Sequence, residues 1–195
     1  RALRGVPPLV DRVAGFEEQV QKAIGAKRYA LGIVEHTWCA PYVTLLQSAC
    51  AHTLLDLHNI ESVLHGRAAE TAGGLVAMGH RRFATAMRRL EAQLIPQFSR
   101  VAVTSAADAE TLQQIAPGVK PFVYANALPA LAAPTITADP QVVAFSGNFE
   151  YHPNIDAVQF LVNQVWPEIR QRCPQVKLRL IGRGEGAIRH LIPTG

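Results

Sequence analysis

No uninterrupted apolar run in this sequence approaches the roughly 20 residues that a membrane-spanning helix requires. The opening RALRGVPPLVDR also lacks the charged-then-apolar order of a secretory leader. Together these absences lead to the expectation of a cytoplasmic protein. Cysteine is scarce: Cys39, Cys50 and Cys173 lie far apart, and none has a second cysteine within a few residues. That excludes a disulfide framework and a CxxC metal site, and leaves buried reduced thiols as the expectation. Ligand spacing of the kind that marks a zinc site is missing too, so no metal is expected. Charge of one sign is in small excess, 19 Lys and Arg against 15 Asp and Glu. The surplus is dispersed rather than gathered into a tract with interleaved aromatics, so nucleic acid is not an expected partner.

What is present suits a folded α/β protein. A composition 49% hydrophobic and only 17% charged exceeds what a disordered chain carries and suffices for one sizeable core or two small ones. Val13, Phe16, Val20 and Ile24 recur at steps of three and four, with Asp11 available as N-cap and Glu18 four residues before Lys22; this predicts an amphipathic helix. Tyr29 to Val34 reads as a strand ending in the polar tip Glu35-His36-Thr37. The pattern repeats at Thr53 to Leu57, which ends in His58-Asn59-Ile60-Glu61-Ser62. The interval from Ile60 to Phe98 reads as helical with a break near Gly73-Gly74. Val101 to Thr104 predicts a third strand, Ala106 to Ile115 a helix capped by Ser105, and Pro121 to Tyr124 a fourth strand. Alternation of this kind signals a parallel sheet covered on both faces.

Between Asn126 and Gln141 the composition shifts to Ala, Pro and Thr, and Pro129, Pro134 and Pro140 interrupt any regular element. The expected organisation is therefore a first domain over 1–127, a linker over 128–141 and a second domain over 142–195. In the second, strand Val142 to Phe145 is followed by a helix with an apolar stripe of Ile155, Val158, Val162, Val165 and Ile169. A further strand then ends at Ile181. Each of these two strands runs into a glycine turn, VVAFSGNFEYHPN and KLRLIGRGEG. In a parallel sheet such turns lie side by side at the carboxyl edge, where phosphates and nucleotides bind.

Taken in order, DLHNIES, VTSAADAETL, VYANALP, VVAFSGNFEYHPNIDAVQFLVNQVWPEI and LRLIGRGEG resemble the retaining glycosyltransferases of family 4, group 1. The resemblance extends from about Tyr29 onward. It implies the GT-B fold, two Rossmann-like domains facing each other across a cleft, both incomplete in this chain. It further implies a nucleoside-diphosphate sugar as donor, a saccharide or lipid-linked acceptor, and transfer with retained configuration without a cofactor or metal. The family's pair of donor-binding glutamates would fall beyond Gly195, so the expectation is a fragment inactive on its own.

The resemblance implies roles for particular residues. His58, with Asp56, Asn59 and Glu61 nearby, would stand near the donor sugar as the catalytic-site histidine; the alternative is a His that caps a helix or meets a buried carbonyl. His36 at the preceding tip could face the same cleft or form a surface turn. Gly147 would let backbone N–H groups approach the diphosphate, and Asn154 would cap the helix beginning at Ile155. Many family members carry an Arg and a Lys here, where this chain has Asn148 and Asn154. Asn126 reads as a hinge or turn residue first and a ligand contact second, with Ala127 replacing the family's usual glycine.

Gly182, Gly184 and Ala187 also satisfy G-x-G-x-x-A after a strand, which keeps an NAD(P)-dependent oxidoreductase open as an alternative, beside a noncatalytic nucleotide-binding module. Arg183 would approach a phosphate or point to solvent. Arg67, Arg81, Arg82, Arg88 and Arg89 read as a solvated face paired along the helix with residues such as Glu91. The other reading of that face is peripheral contact with anionic membrane lipid.

Overall fold

The structure is a computed structural model that describes residues 7–127, 130 and 137–192. The chain divides into two compact units, Arg1–Pro129 and Ala130–Gly195. Of the expected linker, residues 128–129 and 131–136 lie outside the described residues.

The first unit runs α1 (Pro8–Val13), α2 (Glu17–Ile24), β1 (Tyr29–Glu35), a 3-10 turn (Thr37–Tyr42), α3 (Val43–Ala49) and β2 (Cys50–Leu57). It continues with α4 (Glu61–Thr71), α5 (Gly74–Leu94), β3 (Arg100–Val103), α6 (Ala106–Ile115) and β4 (Phe122–Val123). The four strands form one parallel sheet in the order β1-β2-β3-β4. Consecutive parallel neighbours joined by right-handed crossovers send every connecting helix to the same face, and the burial pattern follows. Val34, Leu55, Leu57, Val101 and Val103 point to the helices and are buried with Ile60, Ile95, Phe98, Leu112 and Ile115. Burying each of the larger of these side chains stabilises the fold by roughly 1.5–3 kcal/mol. On the opposite face Leu31, Ile33 and Phe122 remain about half exposed. Cover on that face is therefore partial, since Ala102 at its centre is buried.

The N-terminal helix is corrected. Asp11 lies inside α1 rather than capping a longer helix, and the chain breaks over Ala14–Phe16, with Gly15 at φ +93°. The cause is Tyr42, whose hydroxyl accepts the Phe16 N–H at 3.1 Å and donates to the Val13 carbonyl. Two backbone groups are thereby drawn out of the helical ladder. Elsewhere local signals succeed. Ser105 caps α6, accepting the Asp108 N–H at 3.1 Å and donating to the Asp108 carboxylate at 2.6 Å. Thr53 and Ser99 exchange backbone N–H and hydroxyl bonds, each 3.1 Å, at the start of the β2–β3 pairing. Cys39 and Cys50 are free and half-buried, but Cys173 is exposed, contrary to the expectation of buried thiols. Among the described residues no helix is long and apolar enough to cross a membrane.

The second unit contains β5 (Val142–Ser146), α7 (His152–Phe160), a π-turn (Leu161–Val165), α8 (Trp166–Arg172) and β6 (Lys177–Ile181), followed by two short 3-10 turns. The π-turn traces to Pro167. Lacking an N–H, it cannot continue the ladder onto Asn163, and the preceding Trp166 N–H reaches five residues back to the Leu161 carbonyl. β5 and β6 pair in parallel over a core of Phe149, Val158, Val162 and Ile188.

The turns after β5 and β6 are joined by hydrogen bonds from Gly147 N–H to the Ile181 carbonyl (3.0 Å) and from Phe149 N–H to the Arg183 carbonyl (2.8 Å). A Cβ on residue 182 would lie 1.7 Å from the Gly147 carbonyl oxygen. Gly182→Ala is therefore expected to destabilise the second unit by about 2–3 kcal/mol or more. Gly186→Ala, whose Cβ meets nothing within 4 Å, should stay within about 0.5 kcal/mol of the parent. Urea unfolding followed through Trp166 in a Trp38→Phe background reads the difference, and equal midpoints for the two variants would refute it.

Candidate functional site at the strand tips

All four strands of the first sheet run the same way, so their carboxyl ends form one edge, the usual location of ligand sites in α/β sheets. β1 and β2 are registered with Glu35 opposite Asp56, which brings the tips beyond them, His36 and His58, side by side. The His36 N–H extends the ladder by donating to the Asp56 carbonyl at 3.0 Å. The chain must then turn sharply into the Thr37–Tyr42 segment, and His36 adopts φ +68°, the one positive φ at a non-glycine among the described residues. Such a conformation costs on the order of 1–3 kcal/mol and persists only where the surroundings enforce it. Here they are the bond to Asp56 and Trp38, whose ring stacks on the imidazole with centroids 4.1 Å apart.

The His58 ring lies 5.1 Å from that of His36, centroid to centroid. Its Nε2 is 3.8 Å from the Asp56 carboxylate. One candidate ligand atom from each of Glu35, His36 and His58 falls within 4.8 Å of the other two. Burial, reinforced by His58, lowers the His36 pKa against the opposing pull of Glu35 and Asp56, so the neutral imidazole is favoured. Its Nδ1 is closed to solvent without a hydrogen-bond partner among the described residues. Alongside lies an open concavity of about 590 Å³, lined by Glu35, His36, Trp38, Cys39, Tyr42 and Leu46. Chemically, the tip offers two imidazoles, two carboxylates and an indole face, a set suited to hydroxyl-rich ligands or to a cation.

The residues named from sequence in the second unit meet at one loop pair. Gly147, Asn148, Asn154, Gly182 and Arg183 all belong to it, but several of their polar groups are committed internally. Gly147 leaves room for the Asn154 side chain, whose Nδ2 would stand 3.0 Å from a Cβ and donates to the Asn148 carbonyl at 2.9 Å. Asn154 is thus not a helix cap: α7 begins at His152 with Tyr151 as N-cap, and Asn154 ties its first turn to the loop. The Asn148 Oδ1 accepts the Glu150 N–H at 3.0 Å. Asn148 and Arg183 are exposed, as is Asn126, which lies in irregular chain after β4. A larger concavity of about 630 Å³ involves Trp166, Arg170 and Lys177. It reaches the amino-end residue of β6, Lys177, and does not include the glycine turns.

Two acidic residues depart from expectation. Glu61 is not part of the exposed tip, and Glu91 is not on a solvated face; both are buried, at 4% and 0% exposure, although Arg88 still acts on the Glu91 carboxylate. Glu91 reaches from α5 to the start of α4, where its Oε1 accepts the Ser62 N–H at 3.1 Å. The α4 N-cap, Ile60, supplies no side-chain bond, so Glu91 satisfies from a neighbouring helix a donor that a cap would otherwise take. Burial and then the adjacent Glu91 raise the Glu61 pKa from 4.5 to about 7. Burial likewise raises that of Glu91, against the Ser62 N–H bond and the Arg88 charge. Sequence reading missed Glu35, Trp38 and the burial of Glu91; the polar cluster at 35–37 was the only available signal for the first, and none existed for the last.

Compared with protein-family models, with curated proteins and with solved structures, the chain matches none.

The raised carboxyl pKa values fix the sign of a pH effect. In the window from 4.5 to about 7 folded Glu61 holds a proton that the unfolded chain has released, so its contribution to stability falls as pH rises, opposite in sign to those of His36 and His65, whose pKa values burial lowers. The Glu61 contribution is fully present below the window and lost above it, an effect of up to about 3 kcal/mol. Glu61→Gln should flatten that part of the stability profile. Denaturation midpoints of parent and variant between pH 4.5 and 8 test this, and a difference between the two that does not change with pH would contradict it.

Proposed function

We propose that the protein is a retaining glycosyltransferase of GT-B architecture, transferring a sugar from a nucleoside-diphosphate donor to a saccharide or lipid-linked acceptor hydroxyl. The observation that carries this reading is the convergence of His36, His58, Glu35 and Asp56 at the carboxyl edge of a parallel sheet. The order of motifs along the chain supports it. In this reading His58 orients a reacting hydroxyl, Asp56 polarises its imidazole, and Trp38 offers a flat apolar surface against which a sugar ring packs. Catalysis consists of holding the acceptor close to the anomeric carbon and stabilising the departing diphosphate.

The donor diphosphate is assigned to the loop pair of the second unit. Because the Gly147 and Phe149 amides and the Asn154 side chain are already bonded, the Arg183 guanidinium and the Asn148 side-chain amide are the groups proposed to meet it. Gly147, Asn154 and Gly182 shape the loop. The oxidoreductase alternative needs a helix opening on its glycine motif. Gly184 is followed instead by the 3-10 turns Glu185–Ala187 and Arg189–Leu191.

A thermal-shift and calorimetric panel, run on the chain and on longer forms that contain it, tests the reading. UDP- or GDP-sugars should raise the melting temperature, whereas NAD(P) should not. Where transfer is measurable, His58→Ala should lower kcat/KM by roughly 100-fold with an unchanged melting temperature. Stabilisation by NAD(P) alone would replace this reading with the oxidoreductase one, and silence toward both classes would favour a noncatalytic module.

A further inference from the structure

We propose that Glu35, His36 and His58 form a binding site for a borderline divalent cation of the zinc and cobalt class. Two imidazoles and one carboxylate are the donor types such ions select, and three protein ligands leave a position for water or a substrate oxygen. The ligand atoms already lie within 4.8 Å of one another. Around a tetrahedral ion they would stand roughly 3.4 Å apart. Side-chain rotation supplies the remainder, since Glu35 is exposed and His58 partly so.

Three features point to a constructed site rather than a chance grouping. First, His36 is held at a strained backbone conformation that turns it toward His58. Second, its ring is fixed by stacking on Trp38, and Nδ1 has no hydrogen-bond partner among the described residues, which leaves the imidazole free to seek a ligand. Third, the Asp56 carboxylate stands 3.8 Å from His58 Nε2, where a small side-chain rotation makes the carboxylate–histidine hydrogen bond that orients a ligating imidazole. The strand register assembles all four residues without movement of any secondary-structure element. The inference is independent of sugar transfer, because a bound cation at this edge would polarise any hydroxyl, carbonyl or phosphate oxygen delivered to it.

The test uses the untagged, metal-stripped full chain titrated with Co²⁺ alone and with Zn²⁺ alone. Expected are saturation at one equivalent of Co²⁺ with visible d–d absorption, displacement of that signal by Zn²⁺, and a Zn²⁺-dependent rise in melting temperature. His58→Gln, at an exposed position beyond the strand, should weaken binding at least ~10-fold while leaving the circular dichroism of the metal-free protein unchanged; His36→Gln should do the same, and Asp56→Asn should weaken it by roughly 10-fold. The His65→Gln/His80→Gln double variant controls for the other close histidine pair, whose Nδ1 atoms are 3.0 Å apart, and it should bind as the parent does. Absence of saturable binding, unchanged affinity in His58→Gln, or loss of binding only in the His65/His80 control would overturn the proposal.

Discussion

The alignment of β1 against β2 is the constraint on which the first unit depends. Because the strands are parallel and registered with Glu35 opposite Asp56, one set of alternate residues enters the core while the other set, ending in these two carboxylates, stays on the open face. A slip of one residue would exchange the sets, exposing Val34, Leu55 and Leu57 and burying acidic groups. The same alignment lets the His36 amide bond to the Asp56 carbonyl, which fixes the tip beyond β1. Core packing and site geometry therefore share a single cause.

The α4–α5 pair extends this coupling. Glu91 is carried into the interior by α5 and bonds to the first turn of α4, immediately after the tip that bears His58. An acid is tolerated there because a helix N-terminus supplies unpaired N–H groups and partial positive charge. It remains costly because burial strips water from both carboxyls, with Glu91 adding its charge against Glu61, and the raised pKa values express that cost. The start of α4 is thus set by a long-range contact, with no capping side chain of its own.

The second unit solves a different problem at its loops. Glycine at 147 admits the Asn154 side chain and glycine at 182 admits the Gly147 carbonyl, so the two turns close on each other. Reading glycine as space for an approaching ligand is reasonable from sequence alone. In this loop pair that space is filled by the protein itself, and the polar side chains of Asn148 and Arg183 stay exposed around it.

Local physics made much of the fold legible. Strand runs from Tyr29, Thr53 and Val101, the Ser105 cap, the break at Gly73-Gly74 and the strand before each glycine turn depend on neighbours in sequence, so composition and periodicity determined them. The candidate site was half legible: His36 and His58 stood out at strand ends, and Gly147, Asn148, Gly182 and Arg183 were recognised as loop residues, whereas Asn154, expected as a cap, lies in the first turn of α7. Only the tertiary structure decided what depends on residues distant in the chain. Tyr42 divides the first helix, Leu31, Ile33 and Phe122 stay half exposed on one sheet face, Trp38 pins His36, and α5 buries Glu91 against α4. Ligand spacing gave no hint of the Glu35–His36–His58 grouping because its members sit at the tips of two different strands, and pairing between strands, rather than order along one, brings them together.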